Sequence, residues 1–346
     1  RKMSKSLGNS PDPLQLIEKY SADGVRVGML LCSPAGNDLL FDESLPEQGR
    51  NFTNKLWNAF RLVKSWQVEK DTRPTEASER AIVWFYERLK QGVREIEEDF
   101  NQYRISEALM TAYKLFWDEF SSWYLEIVKP EYQKPIDSRT YQSTIEMFEV
   151  LLKILHPFVP FITEEIWHLL KDRTAPGSTL MFEKAPSVKP IDNEKIKHFE
   201  QVKEIITFIR NTRAQLQISP KEKLALLINP LDYSSDFDPV ILKLGNLSEI
   251  KMISEKPEGA VSLITAEAEY YIPVGELHNE EEELKKLNEE LVYTRGFLES
   301  VMKKLNNDKF VGNAPQKVLD TEYKKKADAE TRIKSLEERI ALLSGN

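Results

Sequence analysis

The sequence has little cysteine or histidine: one cysteine, Cys32, and four histidines in 346 residues. A lone cysteine excludes an internal disulfide, and closed zinc sites take several cysteines at short spacing, so neither a bridge nor a structural zinc is expected. No two histidines stand four apart, which removes the helical metal pair. No apolar run approaches 18 residues, so no membrane span is expected, and the basic N-terminus lacks the apolar stretch of a secretory signal. A cytoplasmic protein is the expectation. Net positive charge is also missing: 48 Lys+Arg against 56 Asp+Glu leave −8, which argues against holding a polyanion by bulk attraction. Any nucleic-acid contact must then come from local basic patches.

What is present is a globular composition, 41% hydrophobic and 30% charged, in a length that suggests two or three domains. Residues 1–48 hold a lysine-serine loop ending in a Pro-Asp-Pro stop, a short helix signal in PLQLIEKYSADGVRVGMLL and a polar loop, CSPAGNDLLFDESLPEQ. Residues 49–217 read as amphipathic helices forming a bundle. Phe52, Leu56, Ala59, Phe60 and Val63 recur at helical spacing, and breaks fall at RPTEASE, KPEYQKP and TAPGST. In HPFVPFITEEIWHLL, Pro157 and Pro160 rigidify the entry, Glu164 and Glu165 are placed in the first turn, and Ile162, Ile166 and Leu169 are expected to form the buried face.

Over 218–275 the period becomes alternating. KLALLIN, EIKMIS, AVSLIT and AEYYIPV read as strands and FDPVILKLG as a helix, giving a small α+β domain. In 276–346, Leu277, Leu284, Leu291, Leu298 and Leu305 fall seven apart with Leu287 and Val301 between them. After NNDKFVGNAP, Ile333, Leu336, Ile340 and Leu343 follow at 3-4-3 spacing. Two heptad helices about a Gly/Asn/Pro loop predict an antiparallel coiled-coil hairpin with arms of ~40 Å at 1.5 Å per residue. The fold class expected is mainly α.

The sharpest chemical signal is Lys2-Met3-Ser4-Lys5-Ser6. Two ammonium groups three residues apart beside hydroxyls suit a triphosphate whose charge grows on the leaving pyrophosphate during attack at the α-phosphorus. Their arrival by chance in a chain of this length is on the order of 10⁻⁴ from average residue usage.

RKMSKSLGN resembles the signature of class I aminoacyl-tRNA synthetases, and the likeness continues along the chain. DPLQLIEKYSADGVRVGMLLCSPAGNDLLFDE resembles the segment after that loop in valyl-tRNA synthetases. NFTNKLWNAFRLV, DEFSSWYLEIVKP and HPFVPFITEEIW look like helices of their anticodon-binding bundle, and NNDKFVGNAPQKV resembles part of their terminal coiled coil. The resemblance implies a ligase that activates valine with ATP and Mg2+ and esterifies it to tRNA(Val). It assigns Lys5 to ATP and the transition state, with Lys2, Met3, Ser4 and Ser6 shaping the same loop. Losing one such donor is expected to cost roughly 3 kcal/mol of barrier. The family's nucleotide-binding fold, HIGH-type motif and editing domain would all precede Arg1. This chain is therefore expected to be the back half of a larger enzyme, unable to form the adenylate or hold ATP tightly alone, yet able to bind tRNA as a monomer.

Three areas compete for the RNA. Arg50, Asn51, Asn54, Lys55 and Trp57 mix polar and aromatic character, although Trp57 with Phe60 equally suits a core. Lys303, Lys304, Lys309, Lys317, Lys324, Lys325 and Lys326 near the hairpin tip face only Asp308, Asp320 and Glu322, whereas EEEE at 280–283 marks the base. The resemblance places this arm at the tRNA elbow, against phosphates. Arg210 and Arg213 either reach phosphates or neutralise neighbouring carboxylates. Isoleucyl-tRNA synthetase is the nearest rival, but its bacterial members commonly carry a cysteine zinc site that Cys32 alone does not supply. A non-enzymatic coiled-coil interaction protein is the other, and it has no use for KMSKS.

Overall fold

A computed structural model describes the chain except residues 1–2, 8–9, 33–40, 176, 188, 274–279, 307–315 and 344–346. Contacts divide it into two compact units, Arg1–Glu255 with Ser262–Tyr270, and Lys256–Val261 with Tyr271–Asn346.

The first unit begins with two short helices where the sequence suggested one. Asp12 is not a stop but the N-cap of α1 (Pro13–Tyr20): its carboxylate accepts from Leu14 N–H at 2.9 Å, and Pro13 occupies the first position, where no N–H is needed. Ser21, at φ 69°, breaks the run and caps α2 (Ala22–Leu31) by accepting from Gly24 N–H. α3 (Ser44–Lys64) starts earlier than expected, inside the region read as loop, and buries Phe52, Leu56, Ala59, Phe60 and Val63 on one face as the spacing required. α2 and α3 touch backbone to backbone. A Cβ at Gly49 would lie 2.2 Å from the carbonyl oxygen of Gly24.

Thr75 caps α4 (Glu76–Asn101), the central helix, with Glu76 and Glu79 in its first turn. α5 (Ile105–Lys114) passes into a π-helical stretch, Leu115–Tyr124, and on into α6 (Leu125–Val128). This wider winding still buries Phe116, Phe120 and Tyr124. Phe120 lies 5.4 Å from Phe85 and 5.2 Å from Phe148 between ring centroids, and Tyr124 Oη meets Thr144 Oγ1 at 2.8 Å. Burial pushes the Tyr124 hydroxyl well above the usual tyrosine range.

β1 (Val68–Glu69) and β2 (Ile136–Asp137) form a two-residue parallel ladder that the sequence did not announce, and Asp137 also caps α7 (Ser138–Leu155). α8 (Pro160–Leu170) buries Thr163, Ile166, Trp167 and Leu170, so the predicted face is rotated and Leu169 is exposed. Glu164 and Glu165 lie beyond the first turn. Glu164 instead accepts from the backbone N–H of Leu180 and pairs with His168.

α9 (Asn193–Gln215) leads to β3 (Leu224–Pro230), α10 (Asp238–Gly245), β4 (Leu247–Met252), β5 (Ala260–Ile264) and β6 (Ala268–Pro273), the elements expected there. The sheet order is β4-β3-β6-β5, with β3 and β4 parallel.

In the second unit, α11 (Glu280–Leu305) and α12 (Gln316–Leu343) form the hairpin. Glu290 meets Arg332 while Lys304 meets Glu322, which fixes an antiparallel pairing. Leu291 and Leu336 are buried against each other with Ile333 and Ile340 beside them, and Val301 is buried further along, as the heptads predict. Side chains at 277, 284, 287 and 343 lie outside the described residues.

Candidate nucleic-acid interface

The lysine-serine loop is a single 3₁₀ turn, Lys5–Leu7, closed by Leu7 N–H donating to the Ser4 carbonyl at 3.1 Å. Ser4 Oγ and Ser6 Oγ are 2.6 Å apart, so the two hydroxyls hold the turn together, while Met3 and Ser6 face solvent. Lys2 and the Lys5 side chain lie outside the described residues.

Two short helices carry the chain from this turn to a groove of about 630 Å³ beside the start of α3. Its walls include Lys19, Asp23, Arg50, Asn54, Trp57 and Phe161. Trp57 is half-buried and packs at 5.2 Å on Phe60, leaving one flank to the groove, so it serves core and surface together. Arg50 lies over the Tyr20 ring at 5.6 Å and bonds Glu47 at 3.2 Å. Asn51 and Asn54 are exposed. Lys55 turns away, with its ammonium 5.4 Å from the Trp117 ring.

The electrostatics of this groove are mixed. Lys19 donates to Glu43 at 3.0 Å, and Tyr20 donates to the same carboxylate. Those hydrogen bonds, Lys19 first, hold the Glu43 carboxyl below its usual range. Asp23, almost fully buried, is pushed up by desolvation, partly offset by hydrogen bonds from the backbone N–H groups of Ile162 and Phe161. Arg26 completes the joint by donating to the carbonyls of Phe158 and Pro157. Sequence reasoning missed Asp23, Lys19 and Phe161. The Ser-Ala-Asp start of α2 was a visible capping signal, but its partner lies 139 residues away.

The two helix arginines separate. Arg213 donates to the backbone carbonyls of Ser219, Gly245 and Asn246, which holds the end of α9 against the β4 approach, and the Glu222 carboxylate also acts on its charge. Arg210 is exposed and lies 5.4 Å from the Trp123 ring.

On the hairpin, Lys303 and Lys324 are exposed and form no ion pair among the described residues. Glu322, buried between the arms, takes Lys325 at 2.7 Å and Lys304 at 3.8 Å. These contacts, the Lys325 hydrogen bond foremost, hold its carboxyl below the usual range. Lys326 approaches Glu330 at 3.8 Å. Lys309 and the Lys317 side chain lie outside the described residues. Among the described residues no His/Cys/Asp/Glu group is placed to hold a metal ion, and no helix is long and apolar enough to cross a membrane.

Comparison with known proteins places these parts in one frame. Residues 1–42 match the model of tRNA synthetases class I (I, L, M and V), residues 83–228 that of the anticodon-binding domain of tRNA ligase, and residues 280–344 that of the valyl tRNA synthetase tRNA binding arm. A valine–tRNA ligase of Parabacteroides distasonis is 55% identical over 99% of this chain and 39% of its own length. One from Porphyromonas gingivalis is 53% identical over 98% and 39%, and one from Fusobacterium nucleatum 34% identical over 98% and 40%. The chain thus spans about two fifths of the length of the curated relatives it matches. With loop, helical body and hairpin all matched in order, the chain belongs to the valine–tRNA ligase family of class I synthetases.

Proposed function

We infer that this chain is the tRNA-binding part of a valine–tRNA ligase. It supplies the KMSKS loop to ATP-dependent activation of valine and holds tRNA(Val) through its helical body and its hairpin arm. The observation that carries the reading is 55% identity with a valine–tRNA ligase over 99% of the chain.

In this reading the segments 1–48, 49–217, 218–275 and 276–346 are the end of the catalytic domain, the anticodon-binding bundle, a junction domain and the tRNA arm. Lys5, with Lys2, neutralises charge on the departing pyrophosphate of ATP, whose Mg2+ is held by the phosphates and the remainder of the site. The match of residues 1–42 to the class I synthetase model supports this role. Asn54 and the open flank of Trp57 offer an amide and an aromatic face to RNA, and Lys303 and Lys324, exposed and without an ion pair among the described residues, offer charge to phosphates. The protein acts in the cytoplasm as a monomer.

The test of the catalytic assignment is pyrophosphate exchange by a full-length ligase containing this segment. Lys5→Ala is expected to slow exchange by about 10²–10³ while leaving tRNA affinity intact. Exchange at the parental rate would contradict the assignment.

A further inference from the structure

The outer face of α11 carries side chains that the hairpin does not need. Thr294 and Val301 are buried toward α12, and Leu291 packs on Leu336. On the other side Val292 and Tyr293 are 71% and 76% exposed, and Phe297, one turn beyond Tyr293, is 42% exposed. Between them stands Gly296, where an added Cβ would meet nothing within 4 Å. A glycine inside a helix weakens it, and no packed neighbour here demands one. What a bare stretch of helix provides is close approach by another backbone.

At about 100° per residue, Tyr293, Phe297, Ser300 and Lys304 fall on one stripe, with Gly296 and Lys303 beside it on the side away from α12. A face built to dock a protein helix would stay apolar through the next heptad. This one changes instead from aromatic to basic within two turns, which complements a base beside its phosphate.

We propose that this face is a stacking ledge for RNA. Tyr293 and Phe297 lie against unstacked or terminal bases of the folded tRNA, the sugar-phosphate backbone passes over Gly296, and Lys303 takes an adjoining phosphate. The proposal rests on the reading of the hairpin as a tRNA-binding arm and adds to it a site recognising bases.

The experiment titrates the 346-residue chain with a tRNA transcript bearing a valine anticodon over a salt series. Tyr293→Ala and Gly296→Gln are each expected to weaken binding about tenfold without altering the salt slope. Tyr293→Phe should bind as the parent does, and Lys303→Ala should reduce the slope by about 0.7–0.9. Gly296→Gln should melt no lower than the parent, since it replaces a helix-weakening residue, so its loss of affinity is not unfolding. Parental affinity in both Tyr293→Ala and Gly296→Gln overturns the ledge and leaves the arm reading intact. Absence of tRNA binding by the parent at low salt overturns both. Self-association in sedimentation that these variants abolish, with tRNA affinity unchanged, assigns the face to a second copy and also overturns the ledge.

Discussion

The carboxylate of Asp23 accepts a hydrogen bond of 2.8 Å from the backbone N–H of Ile162, joining α2 to the first turn of α8. Phe161 N–H donates to the same carboxylate at 3.4 Å, so a buried acid satisfies N–H groups that the helix start leaves without internal partners. Through this joint, and through the close backbone contact of Gly24 with Gly49, the segment that follows the lysine-serine turn is fixed to the helical body.

Asp23→Ala should therefore cost about 1–3 kcal/mol of stability, because it leaves buried N–H groups unsatisfied, and Asp23→Asn, which keeps one acceptor, should cost less. The pH dependence carries the opposite sign from an exposed ion pair. Burial raises the folded pKa above the unfolded value, so the folded state holds the proton more tightly. The group's contribution is largest below the unfolded value and declines as pH rises through the folded one. Urea denaturation between pH 4 and 7 should show parent stability falling relative to Asp23→Asn as pH increases. A constant difference would contradict the buried carboxylate.

Gly49→Ala should destabilise by roughly 1–3 kcal/mol or more, since its Cβ would sit 2.2 Å from a backbone oxygen that belongs to another helix. Thermal melts of the variant measure it. An unchanged melting temperature would show that α2 and α3 separate at no cost.

Arg213→Ala should lower stability by about 1–3 kcal/mol by freeing the three carbonyls it binds, with no change in the salt slope of tRNA binding. Lys324→Ala should do the reverse, leaving stability within about 0.5 kcal/mol and reducing that slope. Exchange of these two outcomes would reverse the assignment of scaffold and contact.

Phe120→Ala should cost about 3–5 kcal/mol in denaturant unfolding, the range for removing a buried aromatic. The ring is fully buried among Phe85, Phe116 and Phe148 on the π-helical stretch. A cost below about 1 kcal/mol would mean that this stretch does not anchor the core.

Sequence periodicity revealed the seams of α3 and of the hairpin, because Phe52 to Val63 and Leu291 to Leu305 repeat a spacing that one helix alone satisfies. The breaks at RPTEASE and KPEYQKP fall where α4 starts and just before α7. Periodicity misled at α8, where Trp167 and Thr163 are buried in place of Leu169. Tertiary neighbours choose which flank of a helix with a broad apolar face turns inward. The π-helical stretch was invisible for a related reason: Phe116, Phe120 and Tyr124 fit a 3.6-residue repeat, and only packing reveals the wider turn. Within the candidate site, the lysine-serine turn, Arg50, Asn54 and the hairpin lysines were legible as local composition. Asp23, Phe161 and the three carbonyls around Arg213 were not, since each contact joins residues brought together only by the fold.

The central proposal is that this chain holds tRNA(Val) by its anticodon and its backbone. The most direct measurement titrates the 346-residue chain with a transcript bearing a valine anticodon, and with the same body altered at the third anticodon base, over a salt series. The account predicts tighter binding to the valine form and a salt slope that becomes shallower when Lys324, Lys325 and Lys326 are replaced by alanine. Equal binding to both transcripts, with a slope indifferent to those lysines, would contradict it.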